Sequence, residues 1–373
     1  MTRRAVLILA IVAAPAVGGA YPQFQLSSGA TRCNQCHFAP AGGGLINGYG
    51  RDEAGDTISS GGDGRFLHGL WEPPPWLALG ADIRLAALAN NEDALTGVDT
   101  EAFPMQADLY VRLAFGQFSA YGNVSYRPTE RTDVSAASHI FSSEHYLMWR
   151  EGPTGWYARV GRFFAPFGLR LVEHTAYVRR FLGFNTLEQP YAVSGGFVED
   201  GQELHLSAWM PDFWRDQVGV RSSGGAAYYE RRVGQTAAWG AQAKLDIGDN
   251  DVRGTGGLVG KYFFAEPKIQ LLAEADLVYQ SFKGLDTSRW QFAGFLGSAW
   301  FPHRGWMVQL MLERFDEDMA IKGTARDAVD AELNWFPWAH FEVSLYGRVQ
   351  IIGTGSDDGA PQELVLLQLH YYL

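Results

Sequence analysis

Two cysteines and a histidine stand together near the start of the chain, in the segment RCNQCHFAPAGGG. Cys33 and Cys36 are the only two cysteines of the 373 residues, and His37 follows directly. Thiols at this spacing can add to the two vinyl groups of a porphyrin, and the adjacent imidazole can reach the iron from the same turn. The spacing predicts one covalently attached haem c with His37 as an axial ligand. A Cys33–Cys36 disulfide is the alternative, and it would leave His37 unexplained.

The ligand on the other side of the iron is less clearly indicated. His68, in GRFLHGLW, is the one other histidine before the first proline run, and that stretch contains no methionine. We therefore expect His68 as the distal axial ligand. Met307 and Met311 are its rivals, because alternation in GWMVQLMLERF places both opposite an apolar face and so toward the inside of the fold.

The first twenty residues are typical of an export signal. Arg3 and Arg4 precede a short apolar run, and Gly18-Gly19-Ala20 offers small residues for cleavage after Ala20. The run is too short to span a bilayer as a helix, and an uncleaved anchor is the alternative. We expect a signal peptide at 1–20, a haem segment at 21–75 and a third region at 76–373.

Charge and composition narrow the class of protein. The chain has 30 Lys and Arg against 41 Asp and Glu, a net charge of −11, which argues against nucleic acid as a partner. Aromatic residues make up 14 %, there are 44 glycines, and the mean hydropathy is −0.13. These values favour a β-rich chain with one apolar and one polar face over a bundle of membrane helices.

From Trp76 onward, apolar and polar residues alternate with a period of two. MQADLYVRLAF, EPKIQLLAEADLVYQ and FEVSLYGRVQI each place apolar side chains on one face and polar ones on the other. Runs of about ten residues or longer are typical of tilted outer-membrane strands, whereas soluble sandwiches have shorter ones. Tryptophans recur near the predicted strand ends, where an aromatic girdle would lie.

Counting strands backward from Leu373 gives alternating long and short connections, such as SFKGLDTS and AEPK. The alternation requires one further strand within residues 165–200, which brings the total to about 16 strands around a water-filled lumen. The haem segment is too short to bury much core by itself. The sequence therefore predicts an all-β fold: an antiparallel outer-membrane β-barrel of about 16 strands, with the small N-terminal monohaem cytochrome c segment plugged into its lumen.

Two resemblances to known families accompany these patterns. In ARVGRFFAPFGLR, Gly161, Phe163 and the Pro166-Phe167-Gly168 turn resemble a motif of phosphate-selective-type porins. The chain as a whole resembles the fused outer-membrane monohaem cytochrome–porin family of iron-oxidising bacteria, whose members carry Phe-x4-Gly before C-x-x-C-H and a Gly-Arg pair after it. Phe24 and Gly29 precede the haem motif here, and Gly50-Arg51 follows it. The resemblance implies one haem c, an outer-membrane location and electron exchange with iron.

We expect an electron conduit that connects an extracellular donor or acceptor, with Fe²⁺ favoured, to a periplasmic cytochrome or another carrier. The barrel would lie among outer-membrane lipid and lipopolysaccharide. Its apolar band would be about 25 Å tall, so a haem at the rim could not bridge it unless the haem segment entered the lumen. The acidic run Asp316–Asp318, in a predicted outer connection, would concentrate divalent cations at the mouth.

Two other functions stay open. The first is a solute porin, for instance for anions, in which the haem segment serves as a plug or sensor. The second and weaker one is a haem peroxidase, which would need an open sixth position and a distal pair of histidine and arginine. The N-terminal segment offers only His68 with Arg51 or Arg65 for that pair. The electron conduit itself needs no bond-making active site.

Overall fold

The computed structural model describes residues 21–91, 98–126, 140–185, 188–211, 222–354 and 360–373. The predicted signal peptide lies outside the described residues. Most of the described chain forms antiparallel strands: β1 (Leu77–Asn90), β2 (Asp99–Phe115), β3 (Phe118–Tyr126), β4 (Ile140–Phe141 and His145–Arg150), β5 (Gly155–Arg162), β6 (Tyr191–Val198), β7 (Gln202–Met210), β8 (Ser223–Val233), β9 (Ala237–Ile247), β10 (Asp251–Phe264), β11 (Ile269–Phe282), β12 (Ser288–Trp300), β13 (Trp306–Asp316), β14 (Ala325–Trp338), β15 (Phe341–Thr354) and β16 (Ala360–Tyr372). Both parts of β4 pair with β3, so they form one interrupted strand.

The sheet closes on itself. β1 pairs with β2 on one side and with β16 on the other, where Asp82 lies opposite Tyr372. Closure leaves no free edge of backbone N–H and C=O groups, as a structure that spans a bilayer with strands requires. The prediction of an all-β barrel of about 16 strands is confirmed, and β6 is the strand that the alternation of connections requires within residues 165–200.

The two faces of the wall follow the period-two pattern. In β13, Trp306 and Val308 are exposed on the outside, whereas Met307, Gln309 and Met311 are buried on the inside. The same alternation covers the outer surface with large exposed apolar side chains, which need lipid rather than water around them. Several of these are tryptophans near the strand ends: Trp76, Trp156, Trp239, Trp290, Trp300, Trp306, Trp335 and Trp338. The barrel lies in the outer membrane, as predicted.

No helix of the described residues is long and apolar enough to cross a membrane. The helices are short: α1 (Gln23–Ser27), α2 (Gly48–Glu53) and α3 (Tyr177–Arg180). A 3-10 turn covers Cys33–Gln35, a π-helical turn follows α2 at Ala54–Ile58, and a further 3-10 stretch covers Phe66–Gly69. All of these lie before β1 or in the connection between β5 and β6.

The connections at the end of the barrel that carries Leu373 are short, which marks that end as periplasmic. At the opposite end, the connection at 163–190 turns inward. The backbone N–H of Gly168 donates to the Gln242 side chain at 2.7 Å, and that of Leu169 to the Glu274 side chain at 2.7 Å. Both acceptors project from the inner wall, so we call residues 163–190 the inward loop.

Residues 21–62 also lie against the inner wall. The Tyr21 hydroxyl donates to Glu342 Oε2 at 2.7 Å, and Lys261 Nζ donates to Gln25 Oε1 at 2.8 Å. Gln23 also donates to the Gln309 side chain of the inner wall at 2.7 Å. Other polar side chains of the inner wall are buried as well, namely Gln106, His205, Gln270 and Asn334. Two segments of the chain thus occupy space inside the barrel wall.

Candidate functional site

The cysteine motif is wound into a tight turn. The backbone N–H groups of Cys36 and His37 donate to the carbonyl of Cys33 at 3.3 and 3.1 Å. The Asn47 side-chain amide donates to the Gln35 carbonyl at 2.9 Å and so ties the turn to the start of α2. A side chain at Gly50 would collide with the Cys36 carbonyl. This close approach explains why a glycine precedes Arg51 after the motif.

The turn borders a cavity of about 140 Å³, and Cys33, Cys36 and His37 all line it. The apolar part of its wall comes from both the N-terminal segment and the barrel: Phe24, Ile46, Ile58, Leu169 and Phe336. The structure therefore brings the three residues of the motif to one cavity that is walled by both the N-terminal segment and the barrel.

Burial sets the protonation state of the three side chains. Burial lowers the pKa of His37 to about 4, so its imidazole is neutral at pH 7 and able to ligate iron. Burial raises the pKa of Cys33, and it raises that of Cys36 to about 12. Both cysteines are free thiols rather than a disulfide. The residue types and their shared cavity fit a covalent haem, and Cys33, Cys36 and His37 would hold it.

A polar cluster on the opposite wall of this cavity was missed by the sequence analysis. His370 of β16 lies 2.9 Å from Asp82 Oδ1 through Nε2 and 2.7 Å from Glu342 Oε2 through Nδ1. Arg84 Nε lies 3.3 Å from the Asp82 carboxylate. The alternation of polar and apolar residues places Asp82, Arg84 and His370 on the inner face of their strands. Those strands become neighbours only when the barrel closes, so the sequence did not show that the three residues meet.

His68 lies elsewhere. It stacks on Phe341, with ring centroids 6.3 Å apart and planes within 6°, and its ring is 5.2 Å from that of His340. Phe341 points away from the lumen, since it is exposed while the next residue, Glu342, is buried. His68 is not among the residues that line the cavity. The assignment of His68 as the distal ligand stays a prediction, and the structure does not bring its side chain together with His37.

Met307 and Met311 point inward as predicted, and both are fully buried. Met307 packs with Phe336 and Ala299 beside Phe24, whereas Met311 belongs to the large apolar cluster around the inward loop. Neither lines the cavity at the cysteines. Of the candidates for the sixth position that the sequence offers, none lines that cavity in the structure.

A second cavity of about 80 Å³ lies between the Gly42-Gly43 backbone and the inward loop. Three arginines line it, namely Arg159, Arg170 and Arg179. Arg170 pairs with Glu203 at 3.0 Å, and Arg179 donates to the carbonyls of the inward loop. These arginines mainly hold the loop in place.

The fold is shared with solved outer-membrane proteins. An anion-selective porin from Comamonas acidovorans superposes with a TM-score of 0.62 at 12 % identity, over 80 % of this chain and 99 % of that one. OmpT of Vibrio cholerae gives 0.60 at 9 %, covering 80 % and 97 %. OprB of Pseudomonas putida gives 0.60 at 8 %, covering 80 % and 94 %.

The chain has the porin fold. No protein-family model and no curated protein sequence matches it. The resemblance to porins is thus supported at the level of the barrel, and the resemblance to the cytochrome–porin family stays a prediction. At these identities the likeness covers the architecture alone, and it agrees better with the solute-porin alternative than with the electron conduit.

Proposed function

We propose that this outer-membrane barrel carries one covalent haem c within its lumen and relays single electrons between an extracellular partner and a periplasmic carrier. The observation that supports the proposal is that Cys33, Cys36 and His37 line one cavity together, between the N-terminal segment and the barrel wall. When bound, a haem of this type supplies one-electron chemistry at its iron. The outside partner, for which Fe²⁺ is favoured, and the periplasmic cytochrome or other carrier belong to the same proposal.

The residues of the chain have separate tasks in this proposal. The Cys33 and Cys36 sulfurs would carry the two covalent links, and the neutral His37 imidazole would ligate the iron. Phe24, Leu169 and Phe336 would keep bulk water from the site, which is one of the means by which a protein sets a potential. His370, held by two carboxylates, would fix the charge of the opposite wall.

The filled lumen favours electron relay over solute passage. Side chains of the inner wall that would be hydrated in an open channel are buried, Gln270 and Asn334 among them. A solute would have to displace residues 21–62 or the inward loop, whereas an electron needs no open path. Placement of the site inside the lumen also shortens the distance that electrons must cross in a band about 25 Å tall.

Proteoliposomes that contain a ferric chelate, with dithionite added outside, test the proposal. Haem-loaded wild-type protein should reduce the enclosed iron, and C33A/C36A protein should not. Ser28→Ala is the matched control, because Ser28 lines the same cavity without being able to hold a haem. Equal rates for wild type and C33A/C36A would mean that the reagents leak through the barrel, and would contradict the relay.

A solute porin is the second candidate function, and the fold shared with porins favours it. In that case the second cavity, lined by Arg159 and Arg179, would lie on the solute path. Liposome swelling decides between the two functions. Fast entry of small anions or sugars into liposomes that carry the full-length, haem-loaded protein would support the porin and argue against a sealed relay.

A further inference from the structure

The N-terminal segment does not remain inside the barrel up to β1. Residues 59–62 cross the periplasmic rim over the turn between β14 and β15. The Ser60 N–H donates to the Phe336 carbonyl at 2.8 Å, and the Ala339 N–H donates to the Gly61 carbonyl at 2.8 Å. A side chain at Gly62 would collide with the Trp338 ring and the backbone of Ala339, so the chain passes close against the rim.

Beyond the rim, the chain turns to the outer face of the wall, where Phe66 and His68 contact it, and we call residues 63–76 the strap. Phe66 is buried in a cluster with Ala81 and Leu373 and packs beside Leu79. Leu79 and Ala81 lie opposite Val111 and Leu109, which are exposed on the outside of the barrel. Ala81 is therefore an outward residue that the strap and the chain terminus cover.

The rest of the strap follows the same face. The His68 ring stacks on Phe341 and lies 6.3 Å from that of Tyr371. Phe341 is exposed on the outside. Tyr372 lines the lumen cavity, so its neighbour Tyr371 points outward, because successive strand residues point to opposite faces. The strap thus covers outward residues of β1, β15 and β16 at the periplasmic edge of the lipid-facing surface.

Two large apolar side chains of the strap face away from the protein. Leu70 is 87 % exposed and Trp71 is 46 % exposed, although the Trp71 ring touches that of Phe66 at 5.7 Å between centroids. They follow His68, which stacks on Phe341 at the edge of the lipid-facing wall, where Phe341 and Trp338 are both exposed. Aromatic side chains at this level of an outer-membrane barrel belong to the boundary between headgroups and acyl chains.

We propose that the strap is a membrane-interface anchor, with Leu70 and Trp71 inserted into the phospholipid of the periplasmic leaflet. Leu70 and Trp71 contact lipid rather than a partner protein, because the strap continues the lipid-facing surface of the wall. Arg65 and Asp63 pair with each other at 2.6 Å, so this end of the strap offers little net charge to an acidic or basic partner. The anchor would hold residues 21–62 in the lumen from outside. The inference does not depend on a bound haem.

Quenching of tryptophan fluorescence by brominated phospholipids tests the anchor. The full-length protein is placed in liposomes of plain or brominated lipid, and the emission of Trp71 is taken as the difference between wild type and W71F. This emission should fall by more than half in brominated lipid and should resist aqueous acrylamide. The emission of Trp300, an exposed outward residue of β12, should behave in the same way and serves as the positive control.

The buried Trp209 provides the negative control, because its emission should respond to neither quencher. Heat-modifiable migration in gels confirms that each Trp→Phe variant forms the barrel. Trp71 emission that is unchanged by brominated lipid but quenched by acrylamide would place the strap in water and overturn the proposal. The same result would indicate that the exposed surface of Leu70 and Trp71 binds a soluble partner instead.

Discussion

At the scale of single residues, the cysteines carry the sharpest prediction. C33A/C36A protein should lose its covalent haem completely and still form the barrel, since the strands close through their own backbone hydrogen bonds and contain no cysteine. Haem staining of the denatured protein measures the loss, and heat-modifiable migration measures barrel formation. Ser28→Ala should keep the stain. A stained band from the double variant would refute covalent attachment through these thiols.

The distal side of the iron gives a second prediction. His370 lines the cavity, whereas His68 lies on the outer face of the wall. We expect H68Q to leave the absorption spectrum and midpoint potential of the loaded protein unchanged, and H370Q to shift the potential by removing an imidazole held between Asp82 and Glu342. The two variants carry the same substitution and control for each other. A lost or shifted Soret band in H68Q alone would restore His68 as the ligand.

The residues of the site differ in how far a sequence can reveal them. Cys33, Cys36 and His37 are adjacent in the chain, so their chemistry is legible in one short segment. Asp82 and His370 lie at opposite ends of the barrel sequence and meet only where β1 pairs with β16. Their inward direction was predictable from alternation, but their joint position depends on closure of the sheet.

At the scale of elements, the connection after β13 tests the proposed role of iron. Asp316 and Asp318 accept hydrogen bonds from Thr324 and from backbone N–H groups of the same connection, and Glu317 pairs with Arg289 at 2.8 Å. We expect D316N/E317Q/D318N to slow reduction of the loaded protein by dilute Fe²⁺ and to flatten its dependence on ionic strength, because fewer carboxylates attract the cation.

Reduction of the same variant by dithionite should not slow, since the acidic run repels an anionic reductant rather than attracting it. Asp251 provides a matched site elsewhere on the outer rim. It already pairs with Arg253 at 2.8 Å, so D251N should alter Fe²⁺ kinetics less than the triple variant. Identical Fe²⁺ kinetics in wild type and triple variant would reduce Asp316–Asp318 to ordinary surface charge.

The strands were predictable because each keeps a period of two over its full length. The inward loop was not, because Phe163, Phe167 and Leu169 pack against contents of the lumen and follow no fixed period. The strap escaped prediction for a similar reason. Two glycines and a run of three prolines make residues 63–76 look like a linker, and only the position of Phe66 against Ala81 reveals its contact with the wall.

At the scale of the whole molecule, the filled lumen predicts low conductance. Full-length protein in planar bilayers should show small or no channels, because residues 21–62 and the inward loop occupy the space inside the wall. Deletion of residues 21–75 should raise single-channel conductance several-fold, as side chains such as Gln270 and Asn334 become hydrated. Large channels from the full-length protein would mean that the segment leaves the lumen in membranes, and would favour the porin function.

Acid should loosen the contents of the barrel before the wall. Burial lowers the pKa of His37 to about 4 and that of His174, in the inward loop, to about 3. Burial also lowers the pKa of His340, at the rim beneath the strap, to about 4. Each histidine binds a proton more tightly when its surroundings unfold, so the stability that it contributes is complete above about pH 6.5 and is lost as the pH falls toward 4. For His37, this change corresponds to roughly 3 kcal/mol.

The C33A/C36A protein is the form in which to measure this effect, because His37 is then free to titrate. Amide hydrogen exchange in residues 21–62, corrected for the intrinsic effect of pH, should become faster between pH 6.5 and pH 4, while β10–β15 stay protected. H37Q in the same background should remove a large part of the pH dependence, since its amide carries no proton to gain. Exchange that slows on acidification, or that speeds up equally throughout the barrel strands, would show that the buried histidines do not control the lumen contents.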